Sequence, residues 1–471
     1  MKNKRFKLAI LSLCCCGGLF SQSLSQAQRW FNAGEFEKAK PVFRKLTKAS
    51  PSNINYKFWY GACCYETGKL QEALPYLKKS AERKVINGYL YLSKAYYDMY
   101  RFDEAIENIE EHIYWLEKKK RNTQQAQSLL EKYRIGARMI RGVEKVLIVD
   151  SMIVDKAQFL DAYYLSSQAG KINFTGEGSC TSFENEMNDK ILFSKVDSSQ
   201  HKKLYSIVRL ADKWTKPEAV SSLNATSDDL NYPFIDSDGI TVYYSAKNEE
   251  SMGGYDIFIT RFDTENNTYL KPDNIGMPFN SPFNDYMYVI DDYRNLGWFA
   301  SDRYQPEGKV CIYVFVPNEV KNVYDFDALD NDKLKSYAML DNIKQTWFDS
   351  SKLTEAQKAL QLSIQGEKKK HSSELYIVIN DHITYHSLNE FKSKEASVKY
   401  MDMRMLQKDS AKIKQKLDQK RLLYAKASKT EKRNLAPGII DMEKRLLEIQ
   451  DEITRLEKDI RNIEIRAINK K

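Results

Sequence analysis

The stretch YPFIDSDGITVYYSAKNEESMGGYDIFITRF (232–262) is repeated in degraded form on both sides of itself. Upstream stand NDKILFSK (188–195) and KLYSIVRL (203–210); downstream stand LGWFASDR (296–303) and KVCIYVFV (309–316). In every copy an aromatic-rich strand pattern ends at a serine: Ser194, Ser245 or Ser301. A polar connection follows, then a second β-rich run centred on Tyr205, Ile257 or Ile312. The spacing from serine to centre is 11, 12 and 11 residues, and the copies recur about every 50.

A period of that size, with several short strands per copy, predicts the blades of a β-propeller. Each blade is a small sheet that buries its faces only by stacking on its neighbours. Residues 143–317 hold three clear copies and room for about one more, whereas a closed wheel usually needs four to eight. The alternating stretches ELYIVIN (374–380) and HITYHSL (382–388) are expected to supply the closing sheet, after a helical insertion at about 322–370. The propeller is therefore expected over 143–390, as a rigid surface without chemistry of its own.

The elements Pro233-Phe234, Asp238-Gly239, Tyr243-Tyr244-Ser245, Gly253-Gly254 and Asp256-Ile257 together resemble the TolB-like (PD40, WD40-like) propeller blade. In that reading Asp-Gly makes a tight turn and the glycine pair permits a close backbone approach. Asn284-Asp285-Tyr286 and Ser301-Asp302-Arg303 match the next blade.

From Leu24 to about Lys118 the apolar period changes to 3.6 and a second repeat appears. GEFEKAKPVFRKL (34–46), GKLQEALPYLKKS (68–80) and YRFDEAIENIEEH (100–112) align on Ala39, Ala73 and Ala105, with Phe43, Leu77 and Ile109 four residues later. Small residues let two antiparallel helices cross closely, and large ones fill the space between repeats. The segments resemble the tetratricopeptide repeat (TPR), and a helix over 123–140 is expected to cap the array. If the family geometry holds, Phe31, Phe58, Tyr65, Leu90, Lys94 and Tyr97 line its concave face. Those side chains either form a partner-binding groove or pack helix on helix.

An array of this kind followed by such a propeller resembles exported proteins of Gram-negative bacteria with type IX secretion and gliding machineries. In the best-known relatives a peptidoglycan-binding OmpA-like domain comes last. This chain departs there, so the resemblance does not imply wall anchoring. Its C-terminal part, 391–471, is polar and helical. Met442, Leu446, Ile449, Ile453, Leu456, Ile460, Ile463 and Ala467 step by 4 and 3 alternately, an a/d heptad seam. A weaker seam at Leu406, Ile413, Leu417 and Tyr424 precedes it, and Ala436-Pro437-Gly438 is expected to break the two helices apart. Either the seams close an antiparallel hairpin, or the strong one pairs with a second copy or a partner.

Residues 1–21 read as a signal peptide: Lys2, Lys4, Arg5 and Lys7 precede a short apolar run, with cleavage after Ser21 or as late as Ala27. Leu13 before Cys14 argues against a lipobox. The chain carries a formal charge of +9, and removing those four cations leaves +5. No basic run is interleaved with aromatics, so a nucleic-acid partner is not expected.

Catalysis is not expected either, since no G-x-S-x-G elbow or H-E-x-x-H is present and none of the five histidines has ligand spacing. No cofactor or metal is implied. The fold class is multidomain α and β: an N-terminal TPR α-solenoid (22–142), a β-propeller, and a C-terminal antiparallel coiled-coil hairpin. The expected function is a non-enzymatic scaffold of the periplasm or outer-membrane periphery, with cell-envelope proteins as partners and peripheral membrane contact allowed. The alternative is a ligand- or glycan-sensing propeller, with Trp214 and Trp298 as candidate axial aromatics.

Overall fold

The computed structural model describes residues 24–175, 179–210, 213–227, 229–372, 377–380, 383–385, 388–427 and 429–469. The expected leader at 1–21 lies outside them. The chain divides into two compact units, Met1–Ser363 and Ile364–Lys471.

The first unit opens with seven helices: α1 (24–32), α2 (Phe36–Ala49), α3 (Ile54–Glu66), α4 (Leu70–Glu82), α5 (Ile86–Asp98), α6 (Phe102–Lys118) and α7 (Gln124–Met139). The repeat alanines Ala39, Ala73 and Ala105 are fully buried, as their place at helix crossings requires. Gly34 and Gly68 close the α1–α2 and α3–α4 turns at φ +75° and +70°. In the third repeat Tyr100 holds that left-handed position at φ 56°, which costs about 1–2 kcal/mol in a residue with a Cβ. Its ring is buried and packs beside Phe102, and that burial offsets the strain.

The described strands of the first unit form three antiparallel sheets. β1 (Leu147–Asp155) leads into the first sheet, built from β2 (Lys171–Phe174), β3 (Thr181–Glu184), β4 (Lys190–Val196) and β5 (Lys202–Leu210), with short β6 (Lys213–Trp214) and β7 (Glu218–Ala219) along β5. After the single turn α8 (Ser221–Asn224) comes the second sheet: β8 (Asp229–Ile235), β9 (Thr241–Lys247) and β10 (Asp256–Asp263), edged by β11 (Thr268–Tyr269) and β12 (Asp273–Asn274). The third contains β13 (Asp285–Asp291), β14 (Leu296–Ser301) and β15 (Lys309–Val316), and β1 returns to pair with β15.

β8 packs on the face of β3–β5, and β13 packs on β8–β10, so the sheets follow one another around a shared centre. Phe159, Tyr232 and Tyr286 meet there, with ring centroids 5.1–6.2 Å apart. The serines that marked the repeat are all buried, and each faces the start of the strand before it. Ser194 Oγ accepts from the Thr181 amide at 3.0 Å, while Ser245 pairs in register with Asn231 and Ser301 with Asp285.

The expectation that 374–388 closes the sheet system is corrected. β16 (Ile377–Asn380) and β17 (Ile383–Tyr385) pair only with each other among the described strands, and the strand added to the last sheet is β1. The helical segment expected as an insertion instead follows the last sheet, as α9 (Asn331–Met339) and α10 (Ser350–Ser372). Leu334 and Ala338 of α9, with Met252 and Met277 of the second sheet's loops, belong to one apolar core with the helical array. Arg303 is fully buried and satisfied: it reaches the Asp285 carboxylate at 2.8 Å, Phe279 O at 3.0 Å and Ala338 O at 3.3 Å.

In the second unit α11 (Lys394–Lys426) and α12 (Lys429–Asn469) form a helical hairpin. The seam is used within the chain. Ile449, Ile453 and Ile460 are buried with Ala396, Tyr400 and Met403 of α11, and Leu456 and Ile463 pack against the same cluster. Met442 and Leu446 are half-buried, as Leu435 is, while Leu417 and Ile439 are buried.

α11 ends at Lys426, capped by Ala427, rather than near Ala436-Pro437-Gly438, and Pro437 lies inside α12. Leu435 and Ile439 extend the 4-3 spacing one heptad ahead of Met442, and the burial of Ile439 holds the helix through a residue that costs about 3 kcal/mol. Ile377, Ile379 and Tyr385 join this same core, which is why β16 and β17 sit with the helices. Glu464, fully buried, fixes them: its carboxylate accepts from Tyr385 Oη at 2.9 Å, from Ser393 N at 3.0 Å and from Lys392 N.

Candidate functional site

The concave side of the array carries a connected run of aromatic rings. Phe31 on α1 meets Trp59 on α3 edge-on at 4.7 Å and approaches Tyr91 on α5 at 6.3 Å. Tyr91 also contacts Phe58 at 5.8 Å and Tyr65 at 5.7 Å, and the Lys94 ammonium lies 5.2 Å from its ring centre. Phe31, Trp59, Tyr65, Leu90, Tyr91 and Lys94 are half-buried, whereas Phe58 is buried.

Sequence reasoning points to five of these and misses Tyr91, the ring that joins the others. Tyr91 stands three residues before Lys94 on the same helix, the spacing that puts two side chains on one face, so the signal is present. Trp59 is missed as well, because it is adjacent to Phe58 and successive helix residues do not share a face.

Tyr97 departs from expectation. It is only 4% exposed, stacks on Tyr133 at 4.5 Å and donates its hydroxyl to Met252 O at 2.6 Å. Lys132 Nζ donates to Gly253 O at 2.6 Å beside it. This end of the face is therefore occupied by the chain's own second-sheet loop and offers nothing to a partner.

That loop is shaped for the contact. The buried Asp256 carboxylate accepts from the Met252 and Gly253 amides, each at 2.9 Å, and from Asn274 Nδ2 at 2.8 Å, which turns both carbonyls toward the array. Burial, then the neighbouring Asp285, pushes the Asp256 carboxyl up to about 7, against the pull of those donors. A Cβ on Gly253 would lie 1.7 Å from Phe283 O, so no larger residue fits the approach.

Asp98 links the open groove to the closed end. Its carboxylate accepts from Tyr65 Oη at 2.9 Å and its carbonyl accepts from Tyr304 Oη at 2.9 Å. Burial raises the Asp98 carboxyl to about 6, although Tyr65 and Lys94 favour the charged form. Burial likewise raises the Tyr65 and Tyr91 phenols and lowers the Lys132 ammonium. This face thus carries ring edges and one ammonium, with the Asp98 carboxyl held beneath them by Tyr65.

The remaining titratable residues have structural surroundings. His112 is buried with Nδ1 2.9 Å from Ile86 O, and burial lowers its pKa. Among the described residues no three His, Cys, Asp or Glu side chains gather as metal ligands, and Cys63, Cys64 and Cys311 are in no disulfide. No described helix is long and apolar enough to cross a membrane. Trp298 in β14 is fully buried, and Trp214 in β6 is 40% exposed.

No curated protein matches the chain. Residues 32–112 match the family model described as anaphase-promoting complex, cyclosome, subunit 3, and this match identifies the N-terminal array as TPR-like repeats, the class of helical repeat that mediates protein–protein contacts.

Proposed function

We propose that this chain is a non-enzymatic scaffold that captures a protein partner in the open part of its TPR-like groove. The strand region is a propeller-type body serving as the rigid mount for that groove. The carrying observation is the joint: one end of the concave face is sealed by Met252 and Gly253, while the aromatic run from Phe31 to Lys94 stays half-open. A face that were only helix packing would have no reason to change character along its length.

The setting we propose is the periplasm or the outer-membrane periphery, in a secretion or cell-envelope assembly of the type IX kind. What supports it is the N-terminal leader pattern together with the order of repeats and sheets. Ala27 is fully buried inside α1, which favours cleavage after Ser21 over cleavage at 27.

The test is crosslinking capture from native envelopes with the full-length chain and with Lys94→Glu, both checked for equal melting. Envelope proteins recovered by the parent chain and lost from the variant support the reading. Identical recovery by both refutes the groove as the capture site.

A further inference from the structure

A second concavity lies where equivalent hairpin turns of the three sheets converge. These are the β3–β4 turn (185–189), the β8–β9 turn (236–239) and the β13–β14 turn (292–295). Each carries one left-handed residue: Asn188, Gly239 or Asn295. The repeat that builds the sheets therefore places three like turns around one cavity of about 200 Å³.

Its floor is apolar. Phe183 and Phe234, both buried, meet edge-on at 4.9 Å, with Ile235 and Ile290 beside them. Its rim is acidic, one carboxylate coming from each turn: Glu186, Asp236 and Asp292. Ser237 Oγ donates to Asp292 Oδ2, which ties the second turn to the third and sets the rim. Met187 and Tyr293, 71% and 70% exposed, also line the cavity.

We propose that this cavity binds an ammonium or guanidinium group on an apolar stem, with Phe183 and Phe234 taking the stem and the three rim carboxylates taking the charge. The volume is below the roughly 300–1,000 Å³ of sites for drug-sized ligands, so the occupant is the size of one side chain. Aromatic floor and acidic rim together select a cation over a neutral or anionic group.

The chain as a whole is basic, at +9, so this acidic mouth is a local inversion rather than a reflection of composition. Lys190 is also among the lining residues, but its ammonium sits 5.3 Å from the Phe262 ring centre, and burial lowers its pKa. Gathered negative charge leaves its mark on Asp236, whose carboxyl is pushed up to about 6 by burial and by Asp292 and Asp238.

The chemistry could arrive as a free amine or as a lysine or arginine of a peptide. Titration calorimetry of the full chain at low ionic strength separates them, using 1,5-diaminopentane, N-acetyl-lysine amide, N-acetyl-arginine amide and the uncharged N-acetyl-norleucine amide. Binding of a cationic probe at least tenfold tighter than the norleucine probe supports the site. So does at least a tenfold loss of that binding in Asp236→Asn/Asp292→Asn.

If the double variant melts early, Glu186→Gln, at the exposed tip of the first turn, takes its place with a smaller expected loss. Tighter binding of the acetylated amides than of the diamine makes the source a peptide, and the reverse order makes it a free amine. No cation binding, equal binding of norleucine, or binding unchanged in the variants overturns the proposal.

Discussion

The hydroxyl of Tyr97, in the third helical repeat, donates to the backbone carbonyl of Met252, in a loop of the second sheet, at 2.6 Å. The pair is separated by 155 residues and lies in a continuous apolar core shared by array and sheets. Array and sheets are therefore parts of one mount, and changes at their joint should be felt as stability rather than as lost capture.

Tyr97→Phe tests this first. It deletes one neutral hydrogen bond and leaves Met252 O buried without its partner, so urea unfolding should show a loss of about 1–3 kcal/mol. Partner capture by the folded protein should persist. Unchanged stability would mean that the joint contributes little.

Gly253→Ala should be worse than a typical small-to-large change. The new Cβ would overlap the Phe283 carbonyl, which the Gly254 amide already holds at 2.8 Å, so the backbone cannot give way cheaply. The expected loss lies at or above the top of the ~1–3 kcal/mol range for overpacking. A variant that melts with the parent chain would contradict the close approach of these two loops.

Stability should fall as pH rises from about 4 to about 6, in part through Asp98. Its folded-state pKa, about 6, lies above the ordinary value of 3.8, so the folded protein holds the proton more tightly than the unfolded chain. The contribution is fully present below the unfolded pKa and is lost as pH rises through the folded one. Asp98→Asn should flatten that part of the profile in a series of urea midpoints, and a slope unchanged by the substitution would contradict it.

In the second unit, Ile460→Ala removes a fully buried seam residue and should cost about 2–5 kcal/mol. Because the seam closes on α11 of the same chain, the mass in solution should not change. A parent chain that dissociates from a dimer on this substitution would show that the seam pairs between copies.

What the sequence disclosed follows from how local each signal is. The serines at 194, 245 and 301 and the alanines at 39, 73 and 105 mark positions every copy needs for the same contact, so spacing alone finds them. The strands at 377–380 and 383–385 pair elsewhere than expected, because alternation says that one face is buried and not what covers it. Their cover is the α11–α12 seam, pinned at Tyr385 by Glu464, 79 residues away. Pro437 misleads for a related reason: the local rule breaks the helix, and the burial of Ile439 overrides it.

The groove was half legible. Repeat geometry points to Phe31, Phe58, Tyr65, Leu90 and Lys94, but Tyr97 is claimed by a loop that no helical pattern could announce. Tyr100, a tyrosine where the other repeats have glycine, is buried in the core that array and sheets share.

The most direct test places a photo-crosslinking amino acid at position 94, on the open part of the concave face, and irradiates intact cells. The account predicts a discrete crosslinked product with an envelope protein, absent when the same group replaces Lys132 at the sealed end. Equal labelling from both positions, or labelling from neither, would contradict it.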